Sequence, residues 1–299
     1  MLNIFNELLE DNQIFINEPM KNHTTFKIGG EADFLLLPKT IKEILGCIEI
    51  CKKNNLKYYI IGNGSNLLVS DKGFKGVIIK LFRNFSDVQI KNNKIKAQAG
   101  ATLSYIARIA YNNSLTGLEF ASNIPGTIGG GVCMNAGAYG GELKDIIEKI
   151  TVLYKNEIIT LDNKNCGFEY RNSNILKKNM LVLDATISLQ EGKKDDILAK
   201  MKENTKNRND KQPIEYPSGG STFKRPLNNF AGKLIMEAGL AGKTIGDACI
   251  SKKHCGFIVN LGNATCEDVL KLADFACNEV KNKFNIDLEK EIRVIGERW

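Results

Sequence analysis

The sequence predicts an α/β (α+β) chain, on three observations. Strand, helix and strand alternate over roughly the first 80 residues. Short strands with period-2 patterning then follow one another to about residue 190. A long amphipathic helix and a charged strand close the chain.

Taken in order, the opening "MLNIFNELLEDNQIFINE" is acidic and amphipathic and predicts a leading helix. "KNHTTFKIGGEADFLLLP" reads as a loop and then a strand, with Gly29-Gly30 marking the turn and Pro38 the end. A helix is expected over 40–54, where Ile41, Ile44, Leu45 and Ile48 form an apolar stripe and Cys47 and Cys51 share a face as core thiols. "KYYIIGNGSNLLVS" is a strand running into a glycine turn, and "GFKGVIIKL" is the next strand. "DVQIKNNKIKAQAG" reads as a hairpin about Asn92-Asn93. Leu103, Ile106, Ala110 and Leu115 have helical spacing. A long loop is expected over "EFASNIPGTIGGGVCMNAGAYGGE", followed by antiparallel strands in "IIEKITVLYKNEIITL" and "MLVLDATISL". Residues 193–212 form a strongly charged helix whose lysines read as a solvated face. "CEDVLKLADFACNEVKNKFN" is a helix, and "LEKEIRVIGERW" the last strand.

Composition bounds the function. The 299 residues suggest two domains or one large one. Net charge is +7, which suits either a polyanionic ligand or a soluble basic surface. The positive charge is scattered and no aromatic-rich binding module appears, so nucleic acid is not expected as a partner. The N-terminus lacks the features of a signal peptide, and no run approaches a membrane span of about 20 apolar residues, so a cytosolic protein is expected with no membrane partner. Eight cysteines show no CxxC and no zinc spacing, so no metal is expected and the thiols stay reduced.

Two glycine-rich segments stand out, "GNGSN" at 62–66 and the loop at 124–142. Glycines at this density permit positive φ and close approach of backbone N–H groups to a phosphate; the alternative is that they simply make turns. The second segment interleaves Ile124, Ile128, Val132, Met134 and Ala136, a mixture that suits a flat apolar ring with a diphosphate tail. Leu67 stands where GxGxxG needs its last glycine, and Glu237 where a Walker loop needs its first, so neither a standard dinucleotide site nor a phosphate-loop NTPase fits.

The ordered set "TTFKIGGEAD", "IIGNGSNLLVSDKGFKGVII", "IPGTIGGGVCMNAGAYGGE", "FEYRNS", "GGSTFKRP", "AGLAGKTIGDACISKKHCGFIVN" and "EIRVIGERW" resembles the UDP-N-acetylenolpyruvoylglucosamine reductase family over nearly the whole chain. The resemblance implies a two-subdomain FAD-binding module of the vanillyl-alcohol oxidase/PCMH type, then a smaller α/β substrate-binding domain. The expected borders are 1–80 and 81–205 for the two FAD subdomains and 206–299 for the substrate domain, with the last strand returning to the FAD module. It also implies bound FAD, NADPH as hydride donor and UDP-N-acetyl-3-O-(1-carboxyvinyl)-glucosamine as substrate, in peptidoglycan precursor synthesis; a monomer is favoured.

Carried onto this sequence, the cofactor set falls on Gly62, Asn63, Gly64, Ser65, Asn66, Pro125, Gly126, Thr127, Gly129, Gly130, Asn135, Ala136, Gly137 and Arg225, with Thr25 and Ile28 alongside. The catalytic set falls on Arg171, Ser221 and Glu291. One class of the family carries an extra tyrosine-bearing loop between the arginine and serine motifs. This chain has no room for it and resembles the shorter class. Its grip on the uridine diphosphate then falls to Arg208, Lys211 and His254 as candidates.

The implied chemistry reduces an enolpyruvyl ether to a lactyl ether, with hydride passing from NADPH through FAD to the methylene carbon. Negative charge builds on the substrate carboxylate, and the neighbouring carbon must be protonated. Arg171 offers fixed charge and a fork that matches a carboxylate. The Ser221 hydroxyl serves as the acid, without the base a nucleophilic serine needs. An ionised Glu291 repels the substrate carboxylate, so it is inferred to be protonated in the working complex, or to orient Arg171 or a water. Taken singly, Ser221 reads as a turn residue, Arg171 as a surface arginine and Glu291 as part of a charged strand. Two other functions remain open at this point: another FAD-dependent oxidoreductase of the same module class, and a nucleotide-binding protein without redox chemistry.

Overall fold

The computed structural model describes residues 4–297. The chain runs through β1 (Ile14–Pro19), β2 (Glu31–Leu36), α1 (Ile41–Lys53), β3 (Tyr58–Ile61), β4 (Leu67–Val69) and β5 (Phe74–Lys80). Next come β6 (Val88–Lys91), β7 (Lys94–Gln98), α2 (Leu103–Asn112), β8 (Leu115–Thr116), α3 (Ile128–Cys133), β9 (Gly137–Ala138) and β10 (Gly141–Glu142). They are followed by β11 (Ile147–Tyr154), β12 (Glu157–Asp162), α4 (Asn174–Lys177), β13 (Leu181–Ser188), β14 (Gln190–Glu191) and α5 (Lys194–Lys211). The last elements are α6 (Ala231–Glu237), β15 (Thr244–Ile245), β16 (Ala248–Ile250), β17 (Ile258–Asn260), α7 (Cys266–Phe284) and β18 (Arg293–Ile295). The chain divides into two compact units, each made of separated stretches: 4–14, Leu36–Asn63 and Ile79–Arg208 in the first, and Phe15–Leu35, Gly64–Ile78 and 209–297 in the second.

The first unit is organised on an antiparallel sheet of order β12-β11-β13-β7-β6. The central strand β13 is buried from Val182 to Ile187, as a strand covered on both faces must be. Its one charge, Asp184, accepts a hydrogen bond from Thr151 Oγ1 (2.9 Å) and pairs with Lys96 (3.3 Å), so the carboxylate is not stranded. The edge strands β12 and β6 are largely exposed. The β6–β7 hairpin turns at Asn92, which takes φ +53°, a conformation Asn tolerates better than most residues. Helix α1 starts at Thr40, whose hydroxyl accepts from the Glu43 N–H. Cys47 and Cys51 on its inner face are fully buried, and burial pushes their thiols up to about 12 and about 11, which fixes them as protonated core side chains.

The second unit packs α7 across the antiparallel set β15-β16-β17. Its core joins distant parts of the sequence: Phe26, Ile28 and Leu68 pack with Phe223, Ile235, Ile258 and Leu272. Two polar groups fasten these pieces. The Asp71 carboxylate accepts from the N–H groups of Cys266 (2.8 Å) and Glu267 (3.2 Å), placing an anion at the start of α7 where the helix dipole favours it. The buried Asn260 amide donates to the Phe26 carbonyl (3.1 Å) and accepts from Gly262 (2.8 Å) and Ala264 (3.0 Å).

Three expectations are corrected. Residues 4–13 form turns and a 3₁₀ segment at Asp11–Gln13 rather than a leading helix; residues 1–3 lie outside the described part. The buried Gln13 side chain explains this: its Oε1 accepts from Glu10 N–H and its amide donates to the Leu37 carbonyl and Glu43, which turns the chain directly into β1. The long glycine loop contains helix α3, in which Gly129 and Gly131 are packed close against Ala99 and Leu143. The final strand is cut to Arg293–Ile295, paired in parallel with β4, since residues 289–291 bond to 222–224 instead.

Asn260→Ala removes three buried hydrogen bonds and leaves the Phe26 carbonyl and two N–H groups unmatched. It is expected to cost about 3 kcal/mol, measured by denaturant unfolding, whereas an exposed Asn such as Asn282 tolerates the change.

Candidate active site

In the first unit the glycine-rich segment is built around Thr127, which is 2% exposed. Its hydroxyl caps α3 by accepting from the Gly130 N–H, and a Cβ on Gly62 would lie 2.4 Å from the same oxygen. Only glycine therefore fits at 62. Asn63 donates through Nδ2 to the Pro125 carbonyl (2.6 Å), which ties the end of β3 to the segment before α3. The N–H groups of Ile128 and Gly129 are already bonded to the carbonyls of Ala101 and Ala99. Gly129 thus serves close packing, since a Cβ there would meet the Ala99 Cβ at 2.9 Å. Gly130 faces outward, with only Thr127 Oγ1 within 4 Å of an added Cβ. The Gly126 carbonyl accepts from Leu103 N–H, and the Ala136 N–H donates to Gly131. Asn135 is fully buried and holds the loop together: it donates to Glu142 (2.9 Å) and to the Glu169 carbonyl (3.1 Å) and accepts from Lys144 N–H (2.9 Å).

Arg171 occupies the tip of a tight turn closed by reciprocal bonds between Glu169 and Asn172. It takes φ +52°, an uncommon conformation for a long side chain and a frequent mark of functional sites. Its Nη2 donates to the Gly137 carbonyl (3.1 Å), and its guanidinium lies 5.2 Å from the Tyr170 ring centroid. Nearby, the Glu142 carboxyl is held below its ordinary range, chiefly by its hydrogen bond from Lys144 and further by Asn135 and the Arg171 charge. β9 and β10 form a hairpin whose two turn residues, Tyr139 (φ +49°) and Gly140 (φ +86°), both have left-handed backbones, the type I′ arrangement. Tyr139 and Glu142 were not singled out from the sequence; the available signal was the Tyr-Gly pair between two short pairing segments.

In the second unit the residues that follow Ser221 form an extended pairing. Thr222 N–H donates to the Gly256 carbonyl (2.8 Å), Glu291 N–H donates to the Thr222 carbonyl (2.8 Å), and Lys224 N–H donates to the Glu289 carbonyl (2.8 Å). Ser221 thereby immediately precedes the segment in which Thr222 lies opposite Glu291. Before Ser221, Gly219 packs so tightly that a Cβ would meet the Phe26 ring at 2.3 Å, while Gly220 has φ +77° and open space around it. Thr25 Oγ1 donates to the Ser218 carbonyl (2.6 Å), and Ile28 is buried in the core. Gly64 has φ +65°, and a Cβ there would meet the His23 carbonyl oxygen at 2.1 Å. Half-buried Ser65 follows, then Asn66, whose Nδ2 donates to the Glu291 carbonyl (3.2 Å). Arg225 stacks its guanidinium on the Phe230 ring.

The three candidates for the uridine diphosphate are dispersed along the chain. Arg208, on α5 in the first unit, donates through Nη1 to the Asn123 carbonyl, and its buried Nε has no partner among the described residues. Lys211 is exposed at the end of α5. His254, in the second unit, accepts from Gly256 N–H at Nδ1 (3.2 Å), so its proton sits on Nε2. Burial pushes its pKa below the ordinary value and keeps the imidazole neutral at neutral pH. Four elements, α4, β13, β14 and α5, fill the stretch between Arg171 and the segment leading to Ser221.

The FAD binding domain family matches residues 32–161, and the UDP-N-acetylenolpyruvoylglucosamine reductase C-terminal domain matches residues 212–295. The UDP-N-acetylenolpyruvoylglucosamine reductase of Caldanaerobacter subterraneus subsp. tengcongensis is 50% identical over 293 residues, covering 98% of this chain and 97% of its own length. The chain belongs to the UDP-N-acetylenolpyruvoylglucosamine reductase family. The enzyme of the same name from Clostridium kluyveri is 48% identical over 292 residues, with 97% and 96% coverage. The solved structure of that reductase from Thermus caldophilus matches with a TM-score of 0.79 at 35% identity, covering 93% of this chain and 97% of the other. The chain is accordingly an oxidoreductase of this flavoprotein family, with FAD and NADPH as its cofactors. Among the described residues no group of His, Cys, Asp and Glu could hold a metal ion, and no helix is long and apolar enough to cross a membrane.

The residues present in the first unit fit a flavin nucleotide: outward-facing Gly130 and unobstructed Gly140 leave the backbone of the glycine-rich segment open to a ligand. Gly62→Ala is expected to displace Thr127 and to lower the melting temperature and the flavin content together, the latter read as the ratio of visible to protein absorbance after purification; full flavin content would contradict this use of the glycine.

Proposed function

We propose that this chain reduces the enolpyruvyl ether of UDP-N-acetyl-3-O-(1-carboxyvinyl)-glucosamine to the lactyl ether of UDP-N-acetylmuramate, with NADPH as reductant, as a step in peptidoglycan precursor synthesis in the cytosol. The observation that carries this reading is 50% identity to a reductase of that name across 98% of the chain. Bound FAD supplies the hydride exchange between NADPH and the substrate. In our division of labour residues 1–80 and 81–205 hold the cofactor, residues 206–299 hold the substrate, and the protein works as a monomer.

The chain's own residues meet the remaining demands. The flavin nucleotide is held by the backbone around Gly62, Asn63 and Pro125–Gly130, by the Gly64–Asn66 turn, and by Arg225. Asn135, Ala136 and Gly137 shape the same loop. Arg171 binds the substrate carboxylate and stabilises the negative charge that builds on it; its anchored guanidinium is pre-set for two-point contact. Ser221 delivers the proton from its hydroxyl to the adjacent carbon, and open Gly220 leaves that carbon room to approach. Glu291 supports the acid from the paired segment. Neutral His254 can give the diphosphate a hydrogen bond from Nε2 but no charge, so charge there falls to Arg208 and Lys211.

Purified protein is expected to oxidise NADPH rapidly only when the enolpyruvyl sugar nucleotide is present; equal turnover with a simple alcohol or lactate contradicts the assignment. Ser221→Ala is expected to keep flavin and to be reduced by NADPH at the normal rate, while transfer to the sugar nucleotide falls about a hundredfold or more. Near-normal transfer in this variant rules out Ser221 as the acid. Arg171→Lys replaces a fork by a point charge and is expected to lose on the order of a hundredfold in kcat, with smaller change in NADPH reduction.

A further inference from the structure

Between Ser221 and α6 the second unit presents an aromatic ring to solvent in a fixed loop. The Arg225 guanidinium lies 4.5 Å from the centroid of Phe230, yet Phe230 is 56% exposed and neighbouring Leu227 is 90% exposed. The loop is held in place: Asn229 N–H donates to the Pro226 carbonyl (3.2 Å), Phe230 N–H donates to Asn229 Oδ1 (2.8 Å), and Asn228 takes φ +56°. Apolar side chains held in water contribute nothing to folding. A ring backed by a guanidinium and otherwise open is, however, suited to stacking a nucleobase.

We propose that Phe230, backed by Arg225 and flanked by Leu227, is the stacking platform for the uracil of the sugar nucleotide, an inference that rests on the function given above. The chemical order of the ligand matches the order along the chain. The enolpyruvyl group belongs at Ser221, the diphosphate further on, and the base at the far end. Residues 222–224 are extended, so Arg225 lies at most about 14 Å from Ser221, a span suited to the sugar and first phosphate. The ring, with the guanidinium behind it, then meets the base. The platform lies inside the 212–295 match to the reductase C-terminal domain and outside the 32–161 match to the FAD binding domain, which favours a visiting nucleotide over the resident one.

The test is calorimetric titration of the FAD-loaded protein with UDP, alongside stopped-flow reduction by NADPH. Phe230→Ala is expected to weaken UDP binding about tenfold, with unchanged melting temperature and unchanged NADPH reduction, and Phe230→Tyr to restore binding. UDP affinity equal to that of the unmodified protein overturns the platform. So does a variant that loses NADPH affinity and keeps UDP, because the base stacked there is then adenine. An unmodified holoprotein that NADPH reduces but that binds neither UDP nor the sugar nucleotide overturns the proposed function itself, and the platform with it.

Discussion

Three main-chain hydrogen bonds organise the segments that carry Ser221 and Glu291. Thr222 donates to Gly256 and accepts from Glu291, and Lys224 donates to Glu289. Each is an ordinary bond of modest net worth, about 1 kcal/mol. Together they convert two remote stretches of sequence into one extended pairing, which Ser221 immediately precedes and in which Glu291 lies opposite Thr222. A proton donor has to be within hydrogen-bond reach of its target, and main-chain pairing fixes position more tightly than a loop does. The same pairing explains why the C-terminal strand is short: 289–291 are committed to 222–224, leaving only 293–295 to join β4.

Glycine plays two different roles around this frame. At Gly62, Gly64, Gly129 and Gly219 it permits contact, since a Cβ would collide with Thr127, His23, Ala99 or Phe26. At Gly220 it supplies a left-handed backbone with empty space beyond. The first role builds rigid walls and the second leaves a gap next to Ser221. Arg171 is held in a comparable way: it accepts a left-handed backbone, and the Gly137 carbonyl receives its guanidinium. Its cost is met by the surrounding loop, where the buried Asn135 amide binds three partners.

Much of this was legible in the sequence. Periodicity located α1, α2, α5 and α7 and the β6–β7 hairpin, because each carries its own local signal. Motif order identified the family and pointed to Arg171, Ser221 and Glu291. The N-terminal segment misled because its amphipathic spacing is real, while the decisive group, buried Gln13, acts through Leu37 and Glu43 far along the chain. Helix α3 was hidden because three glycines in a row argue against a helix unless neighbours such as Ala99 and Leu143 press close. The assembly of the second unit from separated stretches was invisible for a related reason: it depends on long-range bonds such as Asn260 to Phe26, which leave no local pattern. Phe230 drew no notice, since an exposed phenylalanine in a sequence looks like any other.

The central claim is that Ser221 and Glu291 act as one proton-delivering unit set by their shared strand pairing. The direct measurement is a double-mutant cycle with Ser221→Ala and Glu291→Gln, following anaerobic reoxidation of the NADPH-reduced protein by the enolpyruvyl sugar nucleotide. The account predicts that the double variant reoxidises about as slowly as the slower single variant, because removing either partner already disables the unit. A double variant whose loss equals the product of the two single losses would show that the residues act independently and would contradict it.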